Sequence, residues 1–459
     1  MYRPQKKTIV VIGGNDSGLS AAGRAKRSNP DLDVIVLEKT YFTGYASCGL
    51  PYLISGTVPA QKLSGHTPES IREKRNFDVR TGTLVTAIDT FSKTVKIQNV
   101  DTETTDNVKY DKLIISTGAR AVIPDELNVK ARNIFTLRNF SDAKNINKYI
   151  LETNPRNAVI VGGGYIGIEM AEAFLQRGLK VTLIEKSARL FPDYIPEISD
   201  LLINIVKSKG INIICDNTVK QGLVNNSKTN KVILNKSNTE LDADIILISA
   251  GIVPEVELAE KAGIPVGSTG AIQVNNYMQT RRLDVFTAGD CAETKHLVTN
   301  KPAWLPLAGI ASKQGRIAGN NSAGGRDVFP GALGTVMIKV FDFELGKTGL
   351  SFREAQIAGF SPVITVITHN SKSDYINNNS PVTVGLITDS RTGRILGAQI
   401  AGSCDAGLRL NILATAISAR LTVNDLAFLD LGYTPLITNL WDPVSVAGNV
   451  AIKNIKENK

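Results

Sequence analysis

The sequence predicts an α/β protein in which two doubly wound units precede a smaller α+β unit. Two stretches share one pattern: a β-branched apolar run, a glycine turn, a helical stretch and a second apolar run that ends in Glu-Lys. They run from Thr8 to Lys39 and from Asn157 to Lys186. From about Asp327 the pattern changes to strands with alternating apolar residues, such as VTVGLITD and RILGAQIAG. The repeats therefore predict two Rossmann-like βαβ units, and the carboxy-terminal part predicts a separate α+β unit.

Composition and charge exclude several classes of protein. At 459 residues, with 42% hydrophobic residues, the chain is long enough for about three domains. No apolar run approaches the length of about 18 residues that a membrane span needs. The net charge of +9 is not concentrated in a Lys/Arg block, so nucleic acid is not an expected partner. The four cysteines are far apart without a CxxC pair, which argues against a disulfide framework and a metal site and favours a reducing cytoplasm.

The turn in each repeat is rich in glycine, as a dinucleotide site requires. Glycines let the backbone approach a pyrophosphate at a helix amino terminus, where unpaired N–H groups favour negative charge. The second turn has the full GxGxxG pattern, whereas the first has asparagine in the middle position. The residues concerned are Gly13, Asn15 and Gly18 in the first turn and Gly162, Gly164 and Gly167 in the second. Two copies predict two dinucleotide sites.

An acidic residue ends the second strand of each repeat. Glu38, followed by Lys39, and Glu185 occupy the position at which a carboxylate accepts from ribose hydroxyls. Glu185 would also repel a 2′-phosphate, which favours NADH over NADPH, although Lys186 and Arg189 lie close enough in sequence to bind that phosphate. We therefore expect NADH or NADPH, with NADH preferred.

Two further segments predict crossings between the nucleotide units, and a third predicts a second contact to a cofactor. YDKLIISTGAR and ADIILISAGIVPE are apolar strands that end in a small-residue turn, the first of them at Gly118. LDVFTAGDCAET is a strand that ends in Ala-Gly-Asp, and its Asp290 suggests a second contact to a cofactor held by the first unit.

In this order, the motifs resemble those of the FAD-dependent pyridine nucleotide-disulfide oxidoreductases, and the resemblance covers nearly the whole chain. It implies that the first unit binds FAD, that the second binds NAD(P)H and that Asp290 binds the ribityl-phosphate part of the flavin. It also implies a homodimer formed by the carboxy-terminal domain. The expected domains are 1–118 and 251–326 for FAD, 119–250 for NAD(P)H and 327–459 for dimerisation.

Cys48 decides which subgroup the chain resembles. Dithiol members of the family have two cysteines five residues apart, but here Thr43 and Leu53 occupy those positions. The motif YASCGLPY is instead similar to the single-cysteine motif of coenzyme A disulfide reductases, NADH oxidases and NADH peroxidases. The resemblance implies a redox-active thiol near a helix start, which favours the thiolate. Cys215, Cys291 and Cys404 have no such context, and we interpret them as structural.

The first glycine turn and the helix after it separate the subclasses. Peroxidases and many oxidases of this kind have a histidine where this chain has Asp16, which disfavours a peroxidase and leaves an oxidase open. Ser20, Arg24 and Arg27 lie on one helix face, and the resemblance implies that these positions contact coenzyme A. A merely solvated basic face is the alternative. Coenzyme A disulfide reductases commonly have serine four residues before the cysteine, whereas this chain has Gly44.

The resemblance also implies the remaining site residues. Tyr433, in DLGYTPLITNLWDP, and Tyr375, in KSDYINNNS, match two tyrosines that reach the partner subunit's cysteine in the family. Tyr165 would gate the nicotinamide pocket, and Glu169 would lie near the reacting rings. The expected function is NAD(P)H-dependent reduction of low-molecular-weight disulfides or persulfides, with coenzyme A disulfide as the leading substrate. An NADH oxidase, or an electron-transfer flavoprotein that reduces a protein partner, is the alternative.

Overall fold

The computed structural model describes residues 6–127, 131–225, 228–403 and 405–457. Its strands, in chain order, are β1 Thr8–Ile12, β2 Asp33–Leu37, β3 Asp78–Arg80, β4 Thr83–Asp89, β5 Thr94–Asn99, β6 Thr105–Lys109, β7 Lys112–Ile115, β8 Ala119–Ala121, β9 Ile134–Thr136, β10 Asn157–Val161, β11 Lys180–Ile184, β12 Asn212–Ile214, β13 Val219–Asn225, β14 Lys228–Leu234, β15 Glu240–Asp242, β16 Ile245–Ile248, β17 Ile252–Pro254, β18 Val285–Thr287, β19 Thr294–Lys295, β20 Pro302–Ala303, β21 Val336–Val340, β22 Phe343–Gly349, β23 Pro362–Asn370, β24 Pro381–Asp389 and β25 Ile395–Gly402.

The α-helices connect and cover these strands. They are α1 Asp16–Ser28, α2 Leu50–Ser55, α3 Ala60–Leu63, α4 Pro68–Arg75, α5 Phe140–Thr153, α6 Tyr165–Gln176, α7 Pro196–Ser208, α8 Glu257–Lys261, α9 Ala308–Ser322, α10 Phe352–Ile357, α11 Ala406–Ser418, α12 Val423–Ala427 and α13 Pro443–Glu457. Two short 3₁₀ turns cover Ser47–Gly49 and Asp125–Leu127.

Two parallel five-stranded sheets form the first two units, as the sequence repeat predicts. The first has the order β18-β7-β1-β2-β3 and the second the order β12-β11-β10-β16-β9. Both have an apolar central strand that is buried on its two faces, which explains the continuous Val/Ile runs in β1 and β10. A three-stranded antiparallel sheet accompanies each, β4-β5-β6 and β13-β14-β15. The two units are therefore built alike.

The carboxy-terminal unit is an antiparallel five-stranded sheet in the order β21-β22-β25-β24-β23. Helix α11 packs on β22 and β25, and α13 packs on β23 and β24. This confirms the expected α+β class. The residue boundaries of the domains stay a prediction, although β18 joins the first sheet from a distant part of the chain, so the first unit is discontinuous.

Three helix contacts position the site. Helix α1 packs along α9, and the short α2 packs against α5 and α6. The turn that carries Cys48 leads directly into α2 and so lies where the first unit meets the second. Within the described ranges, no helix is long and apolar enough to cross a membrane.

Candidate active site

The first glycine turn is closed by backbone contacts that leave no space for side chains. A Cβ on Gly13, which has a φ of +105°, would lie 2.2 Å from the carbonyl oxygen of Ser116. A Cβ on Gly18 would lie 1.9 Å from the carbonyl oxygen of Gly13. Both distances are far shorter than a van der Waals contact, so glycine is required at the two outer positions of the motif.

The second glycine turn repeats this construction. A Cβ on Gly162, with a φ of +108°, would lie 2.3 Å from the carbonyl oxygen of Ser249, and one on Gly167 would lie 2.0 Å from the carbonyl oxygen of Gly162. The backbone amides of Gly13 and Gly162 each donate a 2.8 Å hydrogen bond to a backbone carbonyl oxygen at the end of the neighbouring strand. The two halves of the chain therefore use the same turn.

The middle position tolerates asparagine for a geometric reason. Asn15 and Gly164 are the residues that precede α1 and α6, and both have ordinary negative φ angles, −116° and −77°. A Cβ on Gly164 would meet no heavy atom within 4 Å. The missing glycine in the first repeat therefore leaves the turn intact.

The two acidic residues each support a glycine turn. Glu38 accepts a hydrogen bond from the amide of Gly14 at 2.7 Å, and Glu185 accepts one from the amide of Gly163 at 2.8 Å. The carboxylates hold further backbone amides beyond the strand ends. Because a carboxylate has about four acceptor positions, capacity remains for ribose hydroxyls. The side chain of Lys39, beside Glu38, is exposed.

Three side chains of the first glycine turn and of the segments around it have polar atoms that the described protein residues leave unpaired. Asn15 Oδ1, Ser116 Oγ and Arg138 Nε are buried and have no hydrogen-bond partner among the described residues. Arg138 Nη2 lies 3.1 Å from Asp290 Oδ2, and a Cβ on Gly118 would meet no heavy atom within 4 Å. Buried polar groups need partners, so this chemistry fits a ligand with phosphate and hydroxyl groups.

Cys48 lies in the 3₁₀ turn and is open to solvent. The positions five residues to either side, Thr43 and Leu53, are both buried. Cys215 is half-buried and Cys291 is buried, whereas Cys404 lies outside the described residues. Cys48 is thus the one exposed cysteine in the part of the chain that the structure describes.

The charges around Cys48 oppose the thiolate, contrary to the expectation from a helix start. Partial desolvation raises the pKa of the thiol, and the carboxylates of Asp16, Glu169 and Asp290 raise it further. Ser47 counteracts this and lowers the pKa of Cys48, while its hydroxyl donates a hydrogen bond to Asp16 Oδ2 at 3.0 Å. The start of α2, a helix of six residues, acts in the opposite direction and favours the thiolate.

Tyr165 and Glu169 lie at the start of α6, on the side of the second glycine turn. The hydroxyl of Tyr165 is 3.0 Å from that of Tyr194, and its ring packs against Phe191 at 5.1 Å. Burial raises the pKa of Tyr165 to about 12. Burial, followed by the charge of Glu172, raises the pKa of Glu169 to about 7. Glu169 can therefore hold or release a proton near neutral pH.

The residues proposed for coenzyme A binding lie on α1, and two of them contact α9 or its surroundings. Ser20 Oγ donates to the carbonyl oxygen of Ser312 at 2.8 Å. Arg24 Nε donates to Asn320 at 3.3 Å, and its Nη2 lies 3.7 Å from Asp327. The side chain of Arg27 is exposed.

Position 44 is glycine, where similar enzymes have serine, and both its backbone conformation and its surroundings favour glycine. Its φ is +60°, in the left-handed region. A Cβ there would lie 2.9 Å from Leu19 Cδ1 and 3.1 Å from His66 Cβ. His66 thus fills the space that a side chain at position 44 would need.

Tyr375 and Tyr433 are exposed, with 74% and 46% of their surfaces accessible. One buried side chain connects the two segments that carry them. Arg409 Nη2 donates to the carbonyl oxygen of Ser371 at 2.9 Å, and its Nε donates to Asp442 at 2.9 Å.

The sequence reasoning missed two parts of this arrangement. A signal for Arg409 was available, because it is the one charged residue in the apolar helix AGLRLNILATAIS. Ser47 was not considered either, although it directly precedes Cys48.

Comparison with known proteins agrees with this geometry. The family described as pyridine nucleotide-disulphide oxidoreductase matches residues 7–315, and the dimerisation domain of that family matches residues 335–442. A relative from Pyrococcus abyssi, named NAD(P)H sulfur oxidoreductase (CoA-dependent), is 36% identical and aligns over 97% of this chain and 98% of its own.

Two solved structures share the fold. Reduced CoADR-RHD of Bacillus anthracis has a TM-score of 0.95 at 34% identity, over 99% of this chain and 82% of that one. An NAD-dependent persulfide reductase from A. fulgidus has a TM-score of 0.94 at 35% identity, over 98% of this chain and 84% of that one.

Proposed function

Because the chain belongs to the pyridine nucleotide-disulphide oxidoreductase family, we propose that it is a homodimeric flavoprotein that uses NAD(P)H to reduce low-molecular-weight disulfides or persulfides. Coenzyme A disulfide is the leading substrate. The names of the Pyrococcus abyssi and A. fulgidus relatives support this substrate class.

The observation that carries the proposal is the solitary, exposed thiol of Cys48. Thr43 and Leu53 provide no second sulfur at the spacing of dithiol enzymes. The sulfur with which Cys48 forms a disulfide therefore comes from the substrate. A thiol that must be reduced in each turnover suits a reducing cytoplasm.

The first unit would hold FAD. Gly13, Asn15 and Gly18 would carry its pyrophosphate, Glu38 its ribose, and the pair of Arg138 and Asp290 its ribityl-phosphate part. The unpaired polar groups of Asn15 and Arg138 support this assignment. When bound, FAD supplies the two electrons that it accepts as a hydride from NAD(P)H.

The second unit would hold NAD(P)H through the turn of Gly162, Gly164 and Gly167. The carboxylate of Glu185 would bind the ribose hydroxyls and repel a 2′-phosphate, so NADH should be preferred. Arg189 supports this preference, because Asp200 lies 3.3 Å from its guanidinium and partly neutralises it. Catalytic efficiencies with the two nucleotides test the preference, which a strong advantage for NADPH would disprove.

The exposed face of α1 would bind the anionic end of coenzyme A. Arg27 is the most accessible of the three proposed residues, whereas Asn320 and Asp327 already engage Arg24. Arg27 should therefore contribute more to substrate affinity than Arg24. This order differs from the equal roles that their helical spacing alone suggests.

The second subunit would complete the site. Tyr433 and Tyr375 are exposed, as side chains that reach into a partner must be. Exposed apolar side chains close to Tyr433 in sequence, including Phe428, Leu436 and Trp441, support an interface there. In the dimer, the partner's Tyr433 would donate a proton to the thiolate that leaves when Cys48 attacks.

The test is turnover of coenzyme A disulfide with NADH by wild type, Cys48→Ser and Cys215→Ser. We expect loss of turnover in Cys48→Ser alone, because Cys215 is half-buried and outside the site. Rapid oxygen uptake by a wild type that reduces neither disulfide nor persulfide would instead identify an NADH oxidase. Undiminished reduction of a protein partner by Cys48→Ser would identify an electron-transfer flavoprotein.

A further inference from the structure

The side chain of Arg177 joins the second nucleotide unit to the helix that follows Cys48. Arg177 directly follows α6, which connects β10 and β11 of the second parallel sheet. Its Nε donates a 2.6 Å hydrogen bond to the backbone carbonyl oxygen of Ile54, near the end of α2. Helix α2 lies in the chain between β2 and β3 of the first parallel sheet. The hydrogen bond therefore crosses from the second unit to the first.

The guanidinium group of Arg177 is also held from its own unit. Its Nη2 donates a 2.6 Å hydrogen bond to Asn147 Oδ1 on α5, which leads from β9 to β10. A Cβ on Gly56, the left-handed residue that ends α2, would lie 3.5 Å from Arg177 Cζ. Carbonyl groups at the carboxy end of a helix carry partial negative charge, so a cation is favourable there. The guanidinium is thus oriented by α5 towards the end of α2.

Two helices meet at Arg177, and each of them begins at an element of the proposed reaction. Helix α6 begins at the second glycine turn and carries Tyr165 and Glu169 near its start, whereas α2 begins directly after the turn of Cys48. With 12 residues, α6 is about 18 Å long. Arg177 lies at the opposite end of both helices. Its contact therefore fixes the orientation of the nucleotide turn relative to the first unit.

Apolar packing alone would specify this orientation less sharply. Helix α2 buries its apolar side chains and packs against α5 and α6, but apolar burial is non-directional. A hydrogen bond, in contrast, weakens steeply when its angle changes. The carboxy-terminal unit holds α6 by the same kind of contact, because the backbone amide of Phe341, between β21 and β22, donates to Glu172 Oε2 at 2.8 Å. Directional contacts thus hold α6 towards both neighbouring units.

We propose that Arg177 is a positioning residue for hydride transfer, because it fixes α6 on α2 and so sets the distance between the nicotinamide held by the second unit and the flavin held by the first. This rests on the proposed function. A displacement of about 1 Å can lower the rate of an enzymatic step by about 100-fold. The proposed nucleotide contacts lie at the other end of α6, so the affinity for NADH should change little when Arg177 is replaced.

Rapid mixing of the flavin-loaded protein with NADH, without any sulfur substrate, tests this role. The dependence of flavin bleaching on NADH concentration gives the limiting rate and the dissociation constant of NADH separately. In Arg177→Ala we expect the limiting rate to fall by about 10-fold or more, with an unchanged dissociation constant. Lys180→Ala, which removes an exposed cation from β11 of the same unit, is the matched control and should behave like wild type.

Two further variants grade the effect. Arg177→Lys keeps a cation that can donate to the carbonyl of Ile54 but lacks the planar fork that also contacts Asn147, so it should retain more of the rate than Arg177→Ala. Asn147→Ala removes the contact that orients the guanidinium and leaves its bond to Ile54. It should therefore also give an intermediate rate.

Hydrogen exchange of the flavin-loaded protein supplies a measurement that needs no turnover. The backbone amides of Gly56 and Val58 donate to carbonyl oxygens of α2. Without the contact from Arg177, this end of the helix should open more often, so the segment 52–58 should exchange faster in Arg177→Ala. The segment 308–322, which covers α9, should exchange as in wild type.

The possible outcomes are distinct. A wild-type limiting rate in Arg177→Ala, even with a lower melting temperature, would indicate a merely structural role and overturn the proposal. Unchanged exchange in the segment 52–58 would overturn it as well. Should Arg177→Ala fail to fold, wild-type limiting rates in both Arg177→Lys and Asn147→Ala would have the same consequence. If wild type reduced no disulfide or persulfide but the Arg177 variants still slowed flavin bleaching, the proposed substrate would be wrong and the role of Arg177 would stand.

Discussion

Substitution of Gly44 by serine tests whether the backbone, rather than the substrate, explains the departure from similar coenzyme A enzymes. The left-handed φ of +60° at this position costs a residue with a side chain about 1–2 kcal/mol. A Cβ only 2.9 Å from Leu19 Cδ1 and 3.1 Å from His66 Cβ adds an overpacking cost of about 1–2 kcal/mol. We therefore expect Gly44→Ser to lower the free energy of unfolding by about 2–4 kcal/mol.

Urea unfolding of the flavin-loaded protein measures this loss, with Gly65→Ser as a matched control. A Cβ on Gly65 would meet no heavy atom within 4 Å, so the control should stay within about 0.5 kcal/mol of wild type. Gly44→Ser combined with His66→Ala should recover only a small part of the loss, because alanine removes the 3.1 Å contact with His66 Cδ2 but keeps the Cβ of residue 66 and the contact with Leu19. A Gly44→Ser protein as stable as the Gly65→Ser control would refute the reasoning.

Four other substitutions test three separate features. Arg409→Met leaves the Asp442 carboxylate buried without its cation. Urea unfolding should show that the free energy of unfolding falls by about 3–5 kcal/mol, and a loss below about 1 kcal/mol would contradict a buried ion pair. Because burial raises the pKa of Glu169 to about 7, the folded state binds a proton on this carboxyl group more tightly than the unfolded chain does. The protonated group therefore stabilises the fold fully below about pH 4.5, and this stabilisation is lost as pH rises through 7. Glu169→Gln should thus match wild type at pH 4 and exceed its stability by about 1–3 kcal/mol at pH 8, and a constant difference between these pH values would contradict this. Gly164→Ala should preserve the melting temperature but raise the KM for NADH. Gly167→Ala places a methyl group 2.0 Å from a backbone carbonyl oxygen and should lower the melting temperature by several degrees. Equal melting temperatures of the two variants would contradict the difference in the space around these two glycines.

The sequence predicts the features that local geometry determines. A strand, a glycine turn and a helix are specified by neighbouring residues, so the two βαβ units could be recognised, together with Glu38 and Glu185 at their strand ends. The tolerance of Asn15 was not predictable from the motif, because it depends on a φ angle and on open space. The coarse fold and family are confirmed, while the roles of individual site residues stay predictions.

Contacts between distant segments could not be read from the sequence. Asp16 was recognised as the replacement of a histidine, but its hydrogen bond to Ser47 crosses 31 positions. The raised pKa of Cys48 depends on carboxylates from three separate parts of the chain, which a local helix-start argument does not include. His66 beside Gly44 is a further example, because only the folded chain brings them together.

Arg409 also has a consequence for subunit association. By holding the carbonyl of Ser371 and the carboxylate of Asp442 together, it fixes both tyrosine-bearing segments within one subunit before any partner arrives. A surface that is already ordered loses little conformational entropy when it binds. In the proposed dimer, a residue that is itself 95% hidden from solvent would thereby strengthen the interface through the segments that it orders, and dilution should dissociate an Arg409→Lys dimer at higher protein concentration than wild type.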